Sequence, residues 1–131
     1  MCDTHLNLNS DSVNARQTKA VSQMRAGEFE SAVETLAEAL EKNPNNNIAL
    51  LNKAICHLQL EQLDEAAVDY RTLSERIENS HAVLYGLAEI ARLKNNTAEA
   101  IKHFESYLKI APKGTGEFEK VTATLASLKQ E

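Results

Sequence analysis

The chain has 131 residues, of which 43% are hydrophobic and 25% are charged, a composition that suits one soluble domain with a single core. An excess of 19 Asp and Glu over 14 Lys and Arg gives a net charge of −5, which disfavours nucleic acid and anionic membrane surfaces as partners. There is no apolar run long enough to span a bilayer, no export signal and no cysteine framework, so we expect a cytoplasmic protein.

The first segment, residues 1–12, is polar and rich in turn-forming residues. This composition predicts a flexible N-terminal tail. Leu6 and Leu8 are its sizeable apolar side chains besides Met1, and docking of these two leucines on a neighbouring surface is the alternative interpretation.

From residue 13 onward the sequence repeats at a fixed step of 34 residues, in three copies that cover 13–46, 47–80 and 81–114 without a gap. Each copy contains two amphipathic stretches with the apolar spacing of a helix, such as 48–60 and 63–77 in the second copy. Small residues in matching positions let two helix backbones approach closely. The repeated positions include Ala20, Ala54 and Ala88; Ala32, Ala66 and Ala100; Leu36, Tyr70 and Phe104; and Ala39, Leu73 and Tyr107.

Helix-ending and helix-starting residues lie between these stretches. Gly27 can adopt the left-handed conformation where the first helix ends, and Pro44 lies in a turn that breaks the helix before it. Asn79-Ser80 and Asn95-Asn96-Thr97 offer N-caps to the helices that follow them. The pattern therefore predicts helix pairs separated by short turns.

The last segment is one more amphipathic helix, predicted over 117–130. Phe118, Val121, Leu125 and Leu128 form its apolar stripe. A stack of repeats needs a cover at its open end, so we expect a capping helix, with a partner-binding appendage as the alternative.

These repeated positions resemble the tetratricopeptide repeat family, most closely over 26–33 and 100–112. The resemblance implies an all-α fold, a right-handed superhelical α-hairpin solenoid with about seven helices, in a domain that covers 13–131 with a capping helix at 115–131. The second copy departs from the pattern, because Glu61 and Glu78 stand where the first copy has Gly and Pro.

The resemblance also implies that the first helix of each pair lines a concave groove. In the second copy an apolar stripe runs along this face, separate from the residues that pack the helix pair, and a helix that is apolar on two faces is buried on two sides. Helical geometry places Ala82 and Gly86 on the same face. The groove residues predicted in this way are Val21, Met24, Ile48, Leu51, Asn52, Ile55, Leu58, Tyr85, Glu89 and Arg92.

The predicted function is a scaffold or adaptor that binds a protein or peptide segment, apolar or amphipathic, in this groove, with Leu51, Ile55 and Tyr85 as anchors. The alternative is a structural or assembly module that self-associates into a homo-oligomer through the same groove. Partial burial of the stripe by the neighbouring copies is a third interpretation.

Some tetratricopeptide domains grip the C-terminal carboxylate of heat-shock chaperones with Lys, Arg and Asn side chains. The positions that match these residues are Gln17, Val21, Asn52, Ala82 and Gly86, of which only Asn52 fits. Without the cations the charge-assisted bonds are missing, so we do not expect a chaperone cofactor of that kind.

Catalytic and metal-binding signals are missing from the sequence. Its four histidines form no i, i+4 pair, and it has no CxxC, HExxH or glycine-rich phosphate loop. We therefore expect a non-enzymatic protein without metal or cofactor. His57 is predicted to be packed or hydrogen-bonded, and Cys56 to be a small packing residue.

Overall fold

The structure is a computed structural model and describes residues 15–130. The predicted N-terminal tail, residues 1–12, lies outside this range. Within it the chain is helical and contains no strand, as the periodicity predicts. The helices are α1 (15–25), α2 (Phe29–Lys42), α3 (Asn47–Gln59), α4 (Leu63–Arg76), α5 (His81–Leu93), α6 (Thr97–Ile110) and α7 (Gly116–Lys129).

The turn inside each helix pair has the same backbone conformation in all three copies. Gly27, Glu61 and Asn95, at steps of 34 residues, have φ values of 81°, 59° and 64°. In each turn the next amide donates to a carbonyl five residues back, as from Gln62 to His57 at 2.8 Å. The left-handed conformation predicted at Gly27 is confirmed, and Glu61 adopts it despite its side chain.

Side-chain caps begin the helices that follow the turns. The N-caps predicted at Ser80 and in the Asn95–Thr97 segment are confirmed, because Ser80 Oγ and Asn96 Oδ1 accept backbone amides of Val83 and Glu99. Asn46 and Thr115 cap α3 and α7 in the same way. Each such cap contributes about 1 kcal/mol.

The chain divides into two compact units, and the boundary falls inside α4 between Asp69 and Tyr70. In the first unit α2 packs against α3. The predicted small positions form its core, and Cys56 packs among them as predicted. The members of this core cluster, none of which has exposed surface, are Ala20, Ala32, Leu36, Ala39, Ala49 and Cys56.

A buried polar network joins α3 to α4 in the same unit. Asp69 is only 6% exposed and accepts from Lys53 Nζ at 3.3 and 3.4 Å. His57 Nδ1 lies 2.7 Å from Gln62 Oε1, and its Nε2 lies 4.0 Å from Asp69. The prediction that His57 is packed or hydrogen-bonded is therefore confirmed, and the side chain is both.

In the second unit α6 packs against both α5 and α7 around a shared core. Val121, Leu125 and Leu128 of α7 are buried in this core, so its predicted apolar stripe is covered as a capping helix requires. Tyr107, 1% exposed, donates from its hydroxyl to Glu117 Oε1 at 2.6 Å and joins the end of α6 to the start of α7.

No helix in residues 15–130 is long and apolar enough to cross a membrane.

Candidate functional site

An apolar depression of about 470 Å³ lies on α1 and α3 of the first unit. Val21, Met24, Phe29 and Ile55 supply its apolar side chains, and Arg25, Asn52 and Gln59 complete its lining. Met24 and Phe29 also pack against the buried core, which holds them in place. We refer to this surface as the apolar depression.

A second depression of about 380 Å³ adjoins the first and shares Val21, Arg25 and Asn52 with it. Its other lining residues are Gln17, Thr18, Ser22 and Ile48. The Gln17 side chain is held by a hydrogen bond from Asn46 Nδ2. Asn52 therefore lies between the two depressions, where its amide can donate to and accept from the backbone of a bound segment.

The predicted stripe on α3 divides between these surfaces. Ile48 is 63% exposed, whereas Leu51, Ile55 and Leu58 are half-buried. The structure brings Val21, Met24, Ile48, Asn52 and Ile55 together around the two depressions. Leu51 and Leu58 line neither of them.

The second unit has a polar cavity of about 590 Å³ between α5 and α7. Two predicted groove residues, Glu89 and Arg92, line it, so this surface differs in chemistry from the apolar depression. We refer to it as the polar cavity. Its full lining is Glu89, Arg92, Asn95, Thr97, Lys120, Ala123, Thr124, Ser127 and Leu128.

Glu89 organises the predicted residues of α5. It accepts from Arg92 Nε at 2.7 Å and from Arg92 Nη2 at 3.4 Å, and the Tyr85 hydroxyl lies 3.5 Å from its Oε1. The hydrogen bond with Glu89 raises the pKa of Arg92 above its ordinary value, although partial burial opposes this shift. Tyr85, Glu89 and Arg92 thus form one connected group.

Lys120 of α7 joins this group, although it is not among the groove residues predicted from the sequence. Its Nζ lies 5.9 Å from the centroid of the Tyr85 ring, within the range of a cation–π contact. A hydrogen bond with Tyr85 is the main cause that raises the pKa of Lys120. Lys120 lies one repeat step of 34 residues after Gly86 and two steps after Asn52. The repeat period could therefore have placed Lys120 at the equivalent position of its helix.

The prediction that Gly86 faces the groove is wrong. Gly86 is buried against the ring of Tyr70, where an added Cβ would come within 2.2 Å of two ring atoms. A residue with no side chain leaves room for the aromatic ring of the neighbouring helix. Ala82 is half-buried.

Residues 15–130 contain no group of three His, Cys, Asp or Glu side chains that could hold a metal ion. Burial raises the pKa of the Cys56 thiol to about 11, so little of the nucleophilic thiolate is present near neutral pH.

The helix pairs, their fixed step and their repeated turn define an α-helical repeat protein. The tetratricopeptide repeat family profile matches residues 18–73 and 70–115. The chain therefore belongs to the tetratricopeptide repeat family, and the all-α fold predicted from its sequence is confirmed. No curated protein sequence matches it.

Solved structures resemble the chain over nearly its whole length. The tetratricopeptide domain of Arabidopsis OM64 has a TM-score of 0.83 and 16% identity, over 94% of this chain and 98% of that one. The first such domain of Spaghetti (RPAP3), bound to the HSP90 peptide SRMEEVD, has a TM-score of 0.81 and 16% identity, over 92% of this chain and 93% of that one. The Yersinia enterocolitica type III secretion chaperone SycD, in complex with a peptide of the translocator YopD, has a TM-score of 0.81 and 18% identity, over 92% of this chain and 94% of that one. At these identities the likeness shows the fold.

Proposed function

We propose that the protein is a non-catalytic adaptor that binds an apolar or amphipathic peptide segment on the face of α1 and α3. The observation that carries this proposal is the apolar depression, whose lining includes Val21, Met24, Phe29 and Ile55 together with the polar amide of Asn52. Apolar anchors beside a few polar groups are typical of peptide-binding surfaces. Two of the structurally similar proteins, RPAP3 and SycD, are complexes with peptides, which supports the same use of the fold here.

Burial of apolar side chains supplies the affinity in this proposal. Ile48 is 63% exposed, and covering an aliphatic side chain of this kind stabilises a complex by about 1.5–3 kcal/mol. Asn52 supplies orientation, because an amide that loses its partner in a covered site is penalised. A bound segment therefore places apolar side chains beside Ile48 and Ile55 and a backbone group beside Asn52.

The test begins with peptides selected from a displayed random library on the wild-type protein. We expect Ile55→Lys to weaken the binding of these peptides at least roughly tenfold in fluorescence anisotropy, because a lysine ammonium would enter the apolar depression. Val68→Lys is the matched control, since Val68 is 59% exposed on α4 and lines neither depression. The affinity of the Val68→Lys variant for these peptides is expected to stay within about twofold of the wild-type value.

Circular dichroism checks that both variants keep their helices. If Ile55→Lys unfolds, Ile48→Lys replaces it, because a side chain that is 63% exposed tolerates lysine. Unchanged affinity in a folded variant of this pair would contradict the proposal, as would a failure to select any peptide.

Self-association through the same face is the competing function, and the exposure of Ile48 is the observation that favours it. Light scattering separates the two. A monomer at micromolar concentration supports the adaptor, whereas a dimer that Ile48→Lys dissociates supports the assembly module.

A further inference from the structure

We propose that the chain's own N-terminal segment, through Leu6 and Leu8, occupies the apolar depression when no partner is bound, so that a peptide must displace it. This inference rests on the proposed function, because the segment regulates the same binding surface. Docking of the two leucines, an alternative that the sequence left open, then sets the affinity of the site for its partners.

The connection to α1 brings the two leucines within reach of the depression. The described structure begins with α1 at residue 15, and Val21 and Met24 lie about 9 and 14 Å further along the axis of this helix. Leu8 precedes the helix by seven residues, which span up to about 23 Å when extended. A segment that turns back along α1 therefore brings Leu8, and then Leu6, alongside Val21 and Met24.

The link between Leu8 and α1 favours such a reversal. Five of its six residues are of the types that form turns, namely Asn9, Ser10, Asp11, Ser12 and Asn14. A short flexible link gives the tethered segment an effective concentration in the millimolar range. A contact with a dissociation constant of about 0.3 mM is then formed most of the time.

The spacing of the two leucines matches the surface. An extended segment places residues two apart on the same face, which applies to Leu6 and Leu8. The apolar depression and the second depression adjoin each other and share Val21, so they offer neighbouring places for two apolar side chains. Asn52 lines both depressions, and its amide can hydrogen-bond the backbone between the leucines.

Charge complementarity favours this segment as the occupant. Among the described residues that line the two depressions, Arg25 is the only charged one, and it lines both. Residues 1–14 contain Asp3 and Asp11, which flank the leucines, and no Lys or Arg. Attraction between these opposite charges stabilises the docked segment, and added salt weakens it.

The first measurement locates the segment in the full chain without a partner. Cys2 accepts a nitroxide spin label, whereas Cys56 has no exposed surface and stays unlabelled in the native protein. We expect the label to broaden the methyl NMR signals of Val21 and Ile55, which line the apolar depression. The signals of Val68, which lines neither depression, are expected to broaden less.

A pair of double variants tests whether the leucines cause this broadening. Leu6→Ser/Leu8→Ser removes both apolar side chains, and we expect it to lose most of the broadening at Ile55. Asn7→Ser/Asn9→Ser is the matched control, because it changes two polar residues of the same segment and keeps the leucines. This control is expected to broaden the signal as wild type does.

The second measurement is the affinity of the same two variants for the selected peptides. We expect Leu6→Ser/Leu8→Ser to bind them about fivefold more tightly than wild type in fluorescence anisotropy, because no docked segment has to leave first. Asn7→Ser/Asn9→Ser is expected to stay within about twofold of wild type. All four changes precede α1, and circular dichroism checks that the helices are kept.

The outcomes separate this inference from the proposed function. Equal broadening or equal peptide affinity in wild type and Leu6→Ser/Leu8→Ser would overturn the inference, while weaker binding in Ile55→Lys would still support the adaptor. Leucine-dependent broadening without any selected peptide would support the docked segment and overturn the adaptor. Broadening in a mixture of spin-labelled chains and isotope-enriched unlabelled chains would place the leucines on a second copy and overturn docking within one chain.

Discussion

The ring of Tyr70 lies directly against the backbone of Gly86, in space that the Cβ of any other residue would occupy. An ideal Cβ at Gly86 would be 2.2 Å from Tyr70 Cε1 and Cζ. Tyr70 is only 2% exposed, so the ring has little room to move aside. The pair therefore sets the close packing between the middle of α4 and the middle of α5.

We expect Gly86→Ala to destabilise the protein by about 1–3 kcal/mol in urea unfolding. Ala is favoured over Gly inside a helix by about 0.5–1 kcal/mol, so helix propensity alone predicts the opposite sign. The steric overlap is expected to outweigh the gain in helix propensity, since close-packed cores do not accommodate an added methyl group without strain.

Two further variants test the cause of this loss. Gly116→Ala, at the start of α7, has no atom within 4 Å of its added Cβ and is expected to be neutral or stabilising. Tyr70→Leu should recover part of the stability lost in Gly86→Ala, because it removes the ring. Additive effects of Tyr70→Leu and Gly86→Ala would contradict the proposed contact.

Glu61 differs in side chain from the equivalent turn residues Gly27 and Asn95, but it has the same left-handed backbone conformation. It has a φ of 59°, which costs a residue with a side chain about 1–2 kcal/mol. We expect Glu61→Gly to raise the free energy of unfolding by about 0.5–1 kcal/mol, because strain relief exceeds the added entropy of the unfolded chain. Chemical denaturation measures the change.

The reverse substitutions should act in the opposite direction. Glu61→Val introduces a β-branched residue into the left-handed region and is expected to destabilise. Gly27→Ala, at φ 81° with open space around its Cβ, tests backbone strain without steric contact. Stability that is unchanged in all three variants would show that these turns do not hold the left-handed conformation.

Tyr107 makes stability depend on alkaline pH. Burial, and then the hydrogen bond to Glu117, raise the pKa of Tyr107 above its ordinary value of 10.0. The unfolded chain therefore loses this proton first as the pH rises. The stabilisation is present in full below pH 10.0 and is lost as the pH rises through the folded-state pKa.

We expect wild type to be more stable than Tyr107→Phe by about 1–2 kcal/mol near pH 8, because the variant lacks the hydrogen bond to Glu117. That difference should narrow above about pH 10, since phenylalanine does not ionise. Urea titrations at several pH values measure it, and a constant difference across this range would argue against the shift.

Cys56 is a probe of local opening. It has no exposed surface, and burial raises the pKa of its thiol from 9.0 to about 11. In a Cys2→Ser background, we expect its reaction with a thiol reagent near pH 8 to be at least roughly 100-fold slower in the native protein than in guanidinium chloride. Rapid labelling of native protein would show that the α1–α3 core opens readily.

Local and periodic features could be predicted from the sequence. The helices, the buried alanines at the 34-residue step, the left-handed turn at Gly27 and the cap at Ser80 depend on residues close in sequence or at equivalent repeat positions. The candidate site was predicted less completely. Val21 and Ile55 line the apolar depression, but their role in binding stays a prediction. Gly86 is buried, and Lys120 was not among the predicted residues.

The sequence by itself determined the repeat, the all-α fold and the alanine positions at which the helices pack, because helical periodicity and small residues at a fixed step leave few ways to pack the pairs. Only the tertiary structure decided that Glu89 binds Arg92, that Lys120 lies over the ring of Tyr85, and that Tyr70 occupies the space beside Gly86. These contacts depend on side-chain rotamers and on distances of a few ångströms between neighbouring helices, which a repeat period does not specify.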